Sequence, residues 1–260
     1  MLFSGQQVAG RIFTEACECI EREGLRPGLG VILVGDDAPS HLYVGIKERR
    51  AKELGIRFYR ETFPADVSAE TILQTIHAMN TDEDIHGIIV QLPLPAGFDT
   101  DAIIGAIDPA KDTDGFHPET LEAFLAGDDA KLPVFPRALL ALATAAREAL
   151  QAPKTGAALA LVNSALMGEV LVRALHTSGY SAAYVTDVAD EEALKNTTVI
   201  LSATGKAASV STEALAPQAV VIDGGISYDA KGRVIGDVSR SSGVYRDDIL
   251  VTPVPGGVGP

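Results

Sequence analysis

Val8, Ile12, Ala16 and Ile20 recur at helical spacing, so residues 5–23 are expected to form a helix ended by Gly24. The continuous apolar run Val31-Ile-Leu-Val34 follows, closed by Gly35-Asp36-Asp37-Ala38-Pro39. It predicts a buried strand at 29–34, a turn, and a helix over 39–54 stopped by Gly55. A strand at 56–62, a helix at 68–79 with Ser68 as its N-cap, a strand at 86–91 and a short helix at 100–107 come next. Such alternation implies a parallel sheet with right-handed crossovers. Residues 108–136 break the rhythm: Pro109, Pro118, Pro133 and Pro136 punctuate a stretch rich in Asp and Gly, which reads as a domain boundary or a long functional connection. After an Ala- and Leu-rich helix at 137–150, a second series is expected, with strands at 158–162, 182–185, 199–203 and 219–222 and helices at 165–178 and 191–196. The pattern describes an α/β protein of two domains with a cleft between them.

Composition narrows the function classes. A chain of 260 residues, 47% hydrophobic, is long enough for two real cores and is not disordered. A net charge of −14 counts against nucleic acid and anionic membrane surfaces, though a local helix N-terminus can still bind a small anion. Cys17 and Cys19 face different ways on a helix and suggest reduced thiols in a cytoplasmic protein. No apolar run has membrane-spanning length, and the N-terminus lacks the basic start and long apolar core of a signal peptide. The five histidines are scattered, and nothing has zinc or calcium spacing, so no metal is expected. His86 and His176 read as packed or surface residues.

Candidate chemistry starts at Ser40, Tyr43 and Lys47, spaced i, i+3 and i+7 on one helix face. An amine beside a phenol, just past the carboxyl end of a strand, forms an acid–base site; the plainer alternative is a solvated Lys over a packed Tyr. Gln91 ends the third strand, where open parallel sheets bind ligands, and is placed to bond a ligand or orient a neighbouring Lys; it also reads simply as a polar strand end. In Lys111-Asp112-Thr113-Asp114-Gly115, Asp114 is a candidate for fixing a polar ligand ring, and Asp112 for closing the turn. The later turn Leu161-Val162-Asn163-Ser164-Ala165-Leu166-Met167-Gly168 offers only Gly168 where a dinucleotide fold wants several glycines, so an ordinary βα turn competes with a cofactor site. Ser202-Ala-Thr204-Gly205 ends another strand and is placed to line a cofactor crevice, as is Asp223-Gly224-Gly225-Ile226 one strand later.

Taken together, these stretches resemble the bifunctional methylenetetrahydrofolate dehydrogenase/cyclohydrolase family of the FolD type over the whole chain. The resemblance rests on Ser40-x-x-Tyr43-Val44-x-x-Lys47, Glu53-x-Gly55-Ile56, Gly87-Ile-Ile-Val-Gln91-Leu-Pro-Leu-Pro95, Lys111-Asp-x-Asp114-Gly115-Phe116, Ala203-Thr204-Gly205, Val221-Ile222-Asp223-x-Gly225-Ile226, Gly236-Asp237-Val238 and Thr252-Pro-Val-Pro-Gly-Gly-Val-Gly-Pro260. It implies an N-terminal parallel α/β catalytic domain (1–118) and a Rossmann-like NAD(P)-binding domain (119–260), whose final loop 252–260 returns to the folate cleft. It further implies an oxidoreductase and hydrolase of one-carbon metabolism and purine biosynthesis, a cytoplasmic homodimer acting on tetrahydrofolate derivatives. The first reaction oxidises 5,10-methylenetetrahydrofolate with NADP, or NAD; the second hydrolyses the methenyl product to 10-formyltetrahydrofolate. Lys47 is the implied acid/base, Tyr43 positions the folate ring, Ser40 supports the pair, Gln91 tunes Lys47, and Asp114 holds the pterin's amino-pyrimidine edge. Val90 and Leu92 line the folate beside Gln91, and Pro255, Gly256 and Gly257 form a loop over it. Asn163, Ser164, Gly168, Thr204, Gly205 and Ile226 outline the cofactor crevice.

The departures from the family pattern fall on the cofactor side and the tail. Where relatives carry Gly-Arg-Ser, this chain reads Val162-Asn163-Ser164, which is expected to crowd the pyrophosphate and remove a cation from the 2′-phosphate. Thr186-Asp187-Val188 replaces Cys-His-Ser, and an Asp there favours NAD. Pro133-Val-Phe-Pro136 replaces Pro-Cys-Thr-Pro, and the helix that usually follows the Gly-Val-Gly-Pro loop is absent from the sequence. Domains seldom stop in such a loop, so either the chain is cut short there or its tail is unusual. Two other readings stand beside bifunctional activity: a cyclohydrolase with lost or weak dehydrogenase activity, and a non-catalytic folate-binding protein.

Overall fold

The apolar run at Val31–Val34 forms the heart of β1 (Gly28–Val34) in the computed structural model, which describes residues 1–152, 156–186, 191–239 and 246–259. β1 pairs in parallel with β2 (Arg57–Phe63) on one side and β3 (Gly87–Val90) on the other. Its side chains alternate between faces, as a strand requires. Ile32 and Val34 pack with Ile72 and Ile76 of α3 (Ala69–Thr81), with Ile88, and with Ile103 of α4 (Thr100–Ile104); Val31 and Leu33 pack with Val44 of α2 (Ala38–Glu53). Both faces are covered, which is why the run is continuous rather than alternating.

These elements belong to a compact unit of residues 12–134; Met1–Arg11 and residues 135–260 form a second unit. The division falls after Val134, inside the Pro-rich stretch 108–136 and later than the residue 118 that the resemblance implied. Residues 111–134 fold back on the first sheet. Ile88 N donates to Lys111 O at 2.7 Å, and Val134 N donates to Asp114 O at 3.1 Å. The stretch read as a connection also contains a helix, α5 (Pro118–Ala126). Pro118 does not interrupt it: it opens it, where the missing N–H costs nothing, with His117 as N-cap and Gly127 at the far end.

The second unit carries a five-stranded parallel sheet in the order β10-β7-β6-β4-β5. Its strands are β4 (Gly156–Val162), β5 (Tyr180–Val185), β6 (Val199–Ala203), β7 (Val220–Asp223) and β10 (Leu250–Val251). A short antiparallel pair, β8 (Ser227–Tyr228) and β9 (Val234–Ile235), lies between β7 and β10 in sequence. The helices are α6 (Val134–Ala149), α7 (Ala165–Thr177) and α8 (Glu191–Lys195). The start of the chain joins this sheet ahead of α1 (Gln6–Glu23): Phe3 N donates to Val251 O and Val251 N to Met1 O, both at 3.0 Å. β10 and this pairing were not foreseen, because two-residue strands carry no periodic signal. No helix among the described residues is long and apolar enough to cross a membrane.

Each sheet reverses its strand order once. β1 leads to β2 on one side and the chain returns to β3 on the other; β4 leads to β5 and then β6 in the same way. The carboxyl ends of β1 and β3, and separately of β4 and β6, therefore open a crevice in each unit.

Gly168 sets the seat of α7 in the second unit. A Cβ at this buried position would run into the ring of Tyr184 on β5. Gly168→Ala should destabilise the protein by about 1–3 kcal/mol in urea unfolding. The loss should shrink in a Tyr184→Leu background, and an unchanged loss there would show that the ring is not the obstacle.

Candidate active site

In the first unit, α2 begins where β1 ends. Asp37 caps it: its Oδ2 accepts from Ser40 N at 2.9 Å and Ser40 Oγ at 2.7 Å, and these bonds hold the Asp37 carboxyl below the usual carboxylate range. Ser40 is 2% exposed and spends its hydroxyl on this cap, so it supports Tyr43 and Lys47 by fixing the helix that carries them. Asp37 was missed as a contributor, although an Asp three residues before a Ser ahead of a helix is a readable capping signal. Tyr43 and Lys47 follow on α2, both half-buried.

Gln91 follows the last residue of β3, across the sheet's reversal from α2. Lys47 Nζ donates to Gln91 Oε1 at 3.0 Å. The Gln91 Nε2 donates in turn to Leu92 O at 2.7 Å, which turns the amide oxygen toward the amine. Val90 is buried in the sheet, while Leu92 is 36% exposed beside Gln91. Asp114 enters the same neighbourhood. Burial pushes its carboxyl up, the Lys47 charge draws it back down, and Asp112 raises it further. Asp112 itself accepts from Gly115 N at 3.0 Å and His117 N at 2.8 Å, closing the turn that presents Asp114. Lys47, Gln91 and Asp114, far apart in sequence, thus form one polar group containing a cation, a neutral amide and a carboxyl that burial disfavours as an anion.

In the second unit the turn after β4 leaves Asn163 and Ser164 exposed, with Ser164 capping α7 by accepting from Met167 N at 3.3 Å. Val162 is fully buried as the last residue of β4, paired with Ala203. Its side chain therefore faces packed protein. Across the reversal, Thr204 and Gly205 follow β6, with Gly205 at φ +66°. Ile226, beyond β7, is 45% exposed. An open helix N-terminus, Gly168 seating that helix against β5, and an exposed apolar side chain fit a dinucleotide. Asp187 and Val188, read as bearing on NAD against NADP, lie outside the described residues. Pro255, Gly256 and Gly257 follow β10 in this unit, and Gly257 is buried beside Gly5.

Residues 3–114 match the family described as tetrahydrofolate dehydrogenase/cyclohydrolase, catalytic domain, and residues 134–260 match its NAD(P)-binding domain. The chain belongs to the tetrahydrofolate dehydrogenase/cyclohydrolase family. It is 40% identical over 247 residues to the bifunctional protein FolD of Anaplasma phagocytophilum, covering 92% of this chain and 80% of that protein. It is 38% identical over 263 residues to the FolD of Acidiphilium cryptum, covering 100% and 92%. A solved structure of methylenetetrahydrofolate dehydrogenase-cyclohydrolase from Trypanosoma brucei, in complex with NADP and an inhibitor, superposes with a TM-score of 0.87 at 27% identity, covering 100% of this chain and 92% of that one. The two parts of the family thus fall on the units that hold the Lys47 group and the Asn163 turn.

Asp223 and Asp237 belong to the family motifs, and Asp223 also opens the segment expected to line the cofactor crevice. Both are buried, at 2% and 0% exposure. Burial pushes the Asp223 carboxyl up to about 6, although the backbone N–H groups of Val238, Asp237 and Gly225 favour its charge; the nearby Asp237 adds to the rise. The folded protein therefore holds this proton more tightly than the unfolded chain. Stability from Asp223 is greatest at low pH and falls as pH rises from about 4 through 6. Asp223→Asn should gain on the parent by up to about 3 kcal/mol in urea unfolding between pH 4 and pH 8. A difference that stays flat across that range would mean the carboxyl is solvated.

Proposed function

We infer that the protein oxidises 5,10-methylenetetrahydrofolate to the methenyl compound with NADP, NAD being an alternative acceptor, and hydrolyses the methenyl compound to 10-formyltetrahydrofolate. The observation that carries this reading is the 3.0 Å contact between Lys47 Nζ and Gln91 Oε1 at the reversal of the first sheet, with Asp114 beside it. The methenyl carbon lies between two nitrogens and is already electrophilic, so hydrolysis needs a positioned water and a carrier for its protons. Lys47, in its neutral form, takes a proton from the water as oxygen bonds to that carbon. The ammonium then returns the proton to N5 as the carbon–N5 bond breaks, and the hydroxyl on that carbon gives its remaining proton to solvent as it becomes the carbonyl of the formyl group left on N10. Gln91 accepts an N–H in either protonation state of Lys47. It therefore holds the amine in place without fixing its charge, which a carboxylate partner would do.

Tyr43 is assigned to position the folate ring, supported by its place one turn before Lys47. Asp114 is assigned the amino-pyrimidine edge, supported by a carboxyl at the rim of the Lys47 group. Val90 and Leu92 flank Gln91 and are assigned to the same ligand. The family motif supports assigning Pro255, Gly256 and Gly257 to folate contact. NADP, when bound, supplies the hydride acceptor. The first turn of α7, with Asn163 and Ser164, is assigned to its phosphates, and Thr204, Gly205 and Ile226 to the rest of the crevice. Hydride transfer asks of these residues only orientation and exclusion of water. A cytoplasmic homodimer is proposed with this activity. The two free thiols Cys17 and Cys19 support the compartment, and β5, which among the described residues pairs only with β4, offers an edge for a second copy.

Paired assays on one preparation test the reading: hydrolysis of methenyltetrahydrofolate, and reduction of NADP and separately of NAD with methylenetetrahydrofolate. Lys47→Met should lower hydrolysis by about 10²–10⁴-fold. Turnover unchanged in this variant would leave a non-catalytic folate-binding protein as the better account. Hydrolysis without reduction of either dinucleotide would reduce the protein to a cyclohydrolase. Asn163 stands where relatives carry a cation. Asn163→Arg should shift preference toward NADP over NAD by roughly tenfold, read as the ratio of kcat/KM values; an unmoved ratio would place the 2′-phosphate elsewhere.

A further inference from the structure

The buried carboxylate of Asp237 lies between the two loops assigned to the cofactor. Its Oδ2 accepts from Ser202 Oγ and from Thr204 N, both at 2.7 Å. Its Oδ1 is buried with no hydrogen-bond partner and lies against Gly225, where any side chain would collide with it. The backbone of Asp237 is fixed from below: its N–H donates to Asp223 Oδ1 at 3.0 Å and the next N–H, of Val238, to Asp223 Oδ2 at 3.0 Å. Asp223 Oδ1 also accepts from Gly225 N at 3.0 Å. A third link joins the same loops, since Ser227 Oγ donates to Gly205 O at 2.7 Å.

Two fully buried carboxyl groups are a costly way to hold a fold together. No ion pair among the described residues reaches either of them, and the desolvation of each is offset only by neutral donors. A neutral or apolar contact would pack this space more cheaply. What the carboxylate of Asp237 does that an apolar side chain cannot is take two donors from the end of β6 on one oxygen, Ser202 and Thr204, and so set the backbone of the residues that follow.

We propose that Asp237 is a positioning residue of the dinucleotide crevice, holding Thr204–Gly205 against Gly225–Ile226 in the spacing the cofactor needs, with Asp223 as its own anchor. The inference rests on the dinucleotide reading of this crevice. Asp237 touches no ligand itself; it acts through the backbone of Thr204 and the surface of Gly225. The hydrolytic group around Lys47 belongs to the other unit and shares none of these bonds. Although Asp223 N also donates to Thr252 Oγ1 at 2.7 Å, the Asp237 carboxylate itself accepts, among the described residues, only from the crevice side, so its loss should fall on dinucleotide binding first.

Calorimetric titration of the full chain with NADP and with NAD, beside hydrolysis of methenyltetrahydrofolate and thermal melting, tests this. Asp237→Ala should raise the Kd for the preferred dinucleotide at least tenfold while hydrolysis stays within about twofold of the parent. Asp237→Asn should bring the Kd back to within about threefold, because the amide oxygen still accepts from Ser202 and Thr204. Wild-type affinity in Asp237→Ala would overturn the proposal. So would a fall in binding and hydrolysis together in step with the melting temperature, the mark of a merely structural residue. If Asp237→Ala does not fold, Ser202→Ala removes one of the two donors: weaker binding by about threefold with hydrolysis intact supports the proposal, and unchanged affinity overturns it. A parent protein that binds neither dinucleotide would overturn the cofactor assignment, and this inference with it.

Discussion

Parallel strands cannot be joined by a tight turn; each needs a crossover helix, and where successive crossovers leave a strand toward opposite sides the loops splay apart. Both sheets of this protein contain one such reversal, at β1 between β2 and β3 and at β4 between β5 and β6. Every residue of the Lys47 group sits at the first reversal or on the segment hydrogen-bonded beside it. Asn163, Ser164, Thr204 and Gly205 sit at the second. The apolar cores pin these openings because both faces of each sheet are covered and the strands cannot slip register without exposing them.

The electrostatics of the two openings differ in kind. In the first unit a cation is matched with a neutral amide, and the Asp114 carboxyl that feels its charge is pushed up by burial. In the second unit, carboxyl groups are buried without a cation among the described residues and accept from backbone N–H groups and hydroxyls, with one oxygen of Asp237 left over. They impose geometry there, because each carboxyl oxygen can gather donors from more than one loop. A chain of net charge −14 thus uses acidic side chains of the second unit as internal struts.

Local pattern was enough to foresee most of this architecture. The helical spacing of Val8 through Ile20, the run at Val31–Val34 and the caps at Ser68 and Gly55 mark elements that formed within a residue or two of the expected limits. Element order alone implied parallel sheets, since right-handed crossovers leave few other topologies. Tyr43, Lys47, Gln91 and Asp114 stood out as candidates through the family motifs that contain them, while spacing alone left plainer readings open. What local pattern misread were positions whose meaning depends on a partner distant in sequence. Pro118 looked like a break and is a helix start. Leu250 and Val251 carried no strand signal and pair with β7.

Tertiary structure alone decided the rest. Lys47 meets Gln91 across 44 positions of sequence, Asp237 meets Ser202 across 35, and the first three residues join a strand near position 251. None of these pairs has a periodic or compositional signal, because a single long-range hydrogen bond constrains only the two residues that make it. Sequence by itself determined which elements form and in what order, through apolar periodicity and capping acting over a few residues. The fold determined which polar groups share a site, because only closure of the sheets brings distant donors within reach of one carboxylate or one amide oxygen.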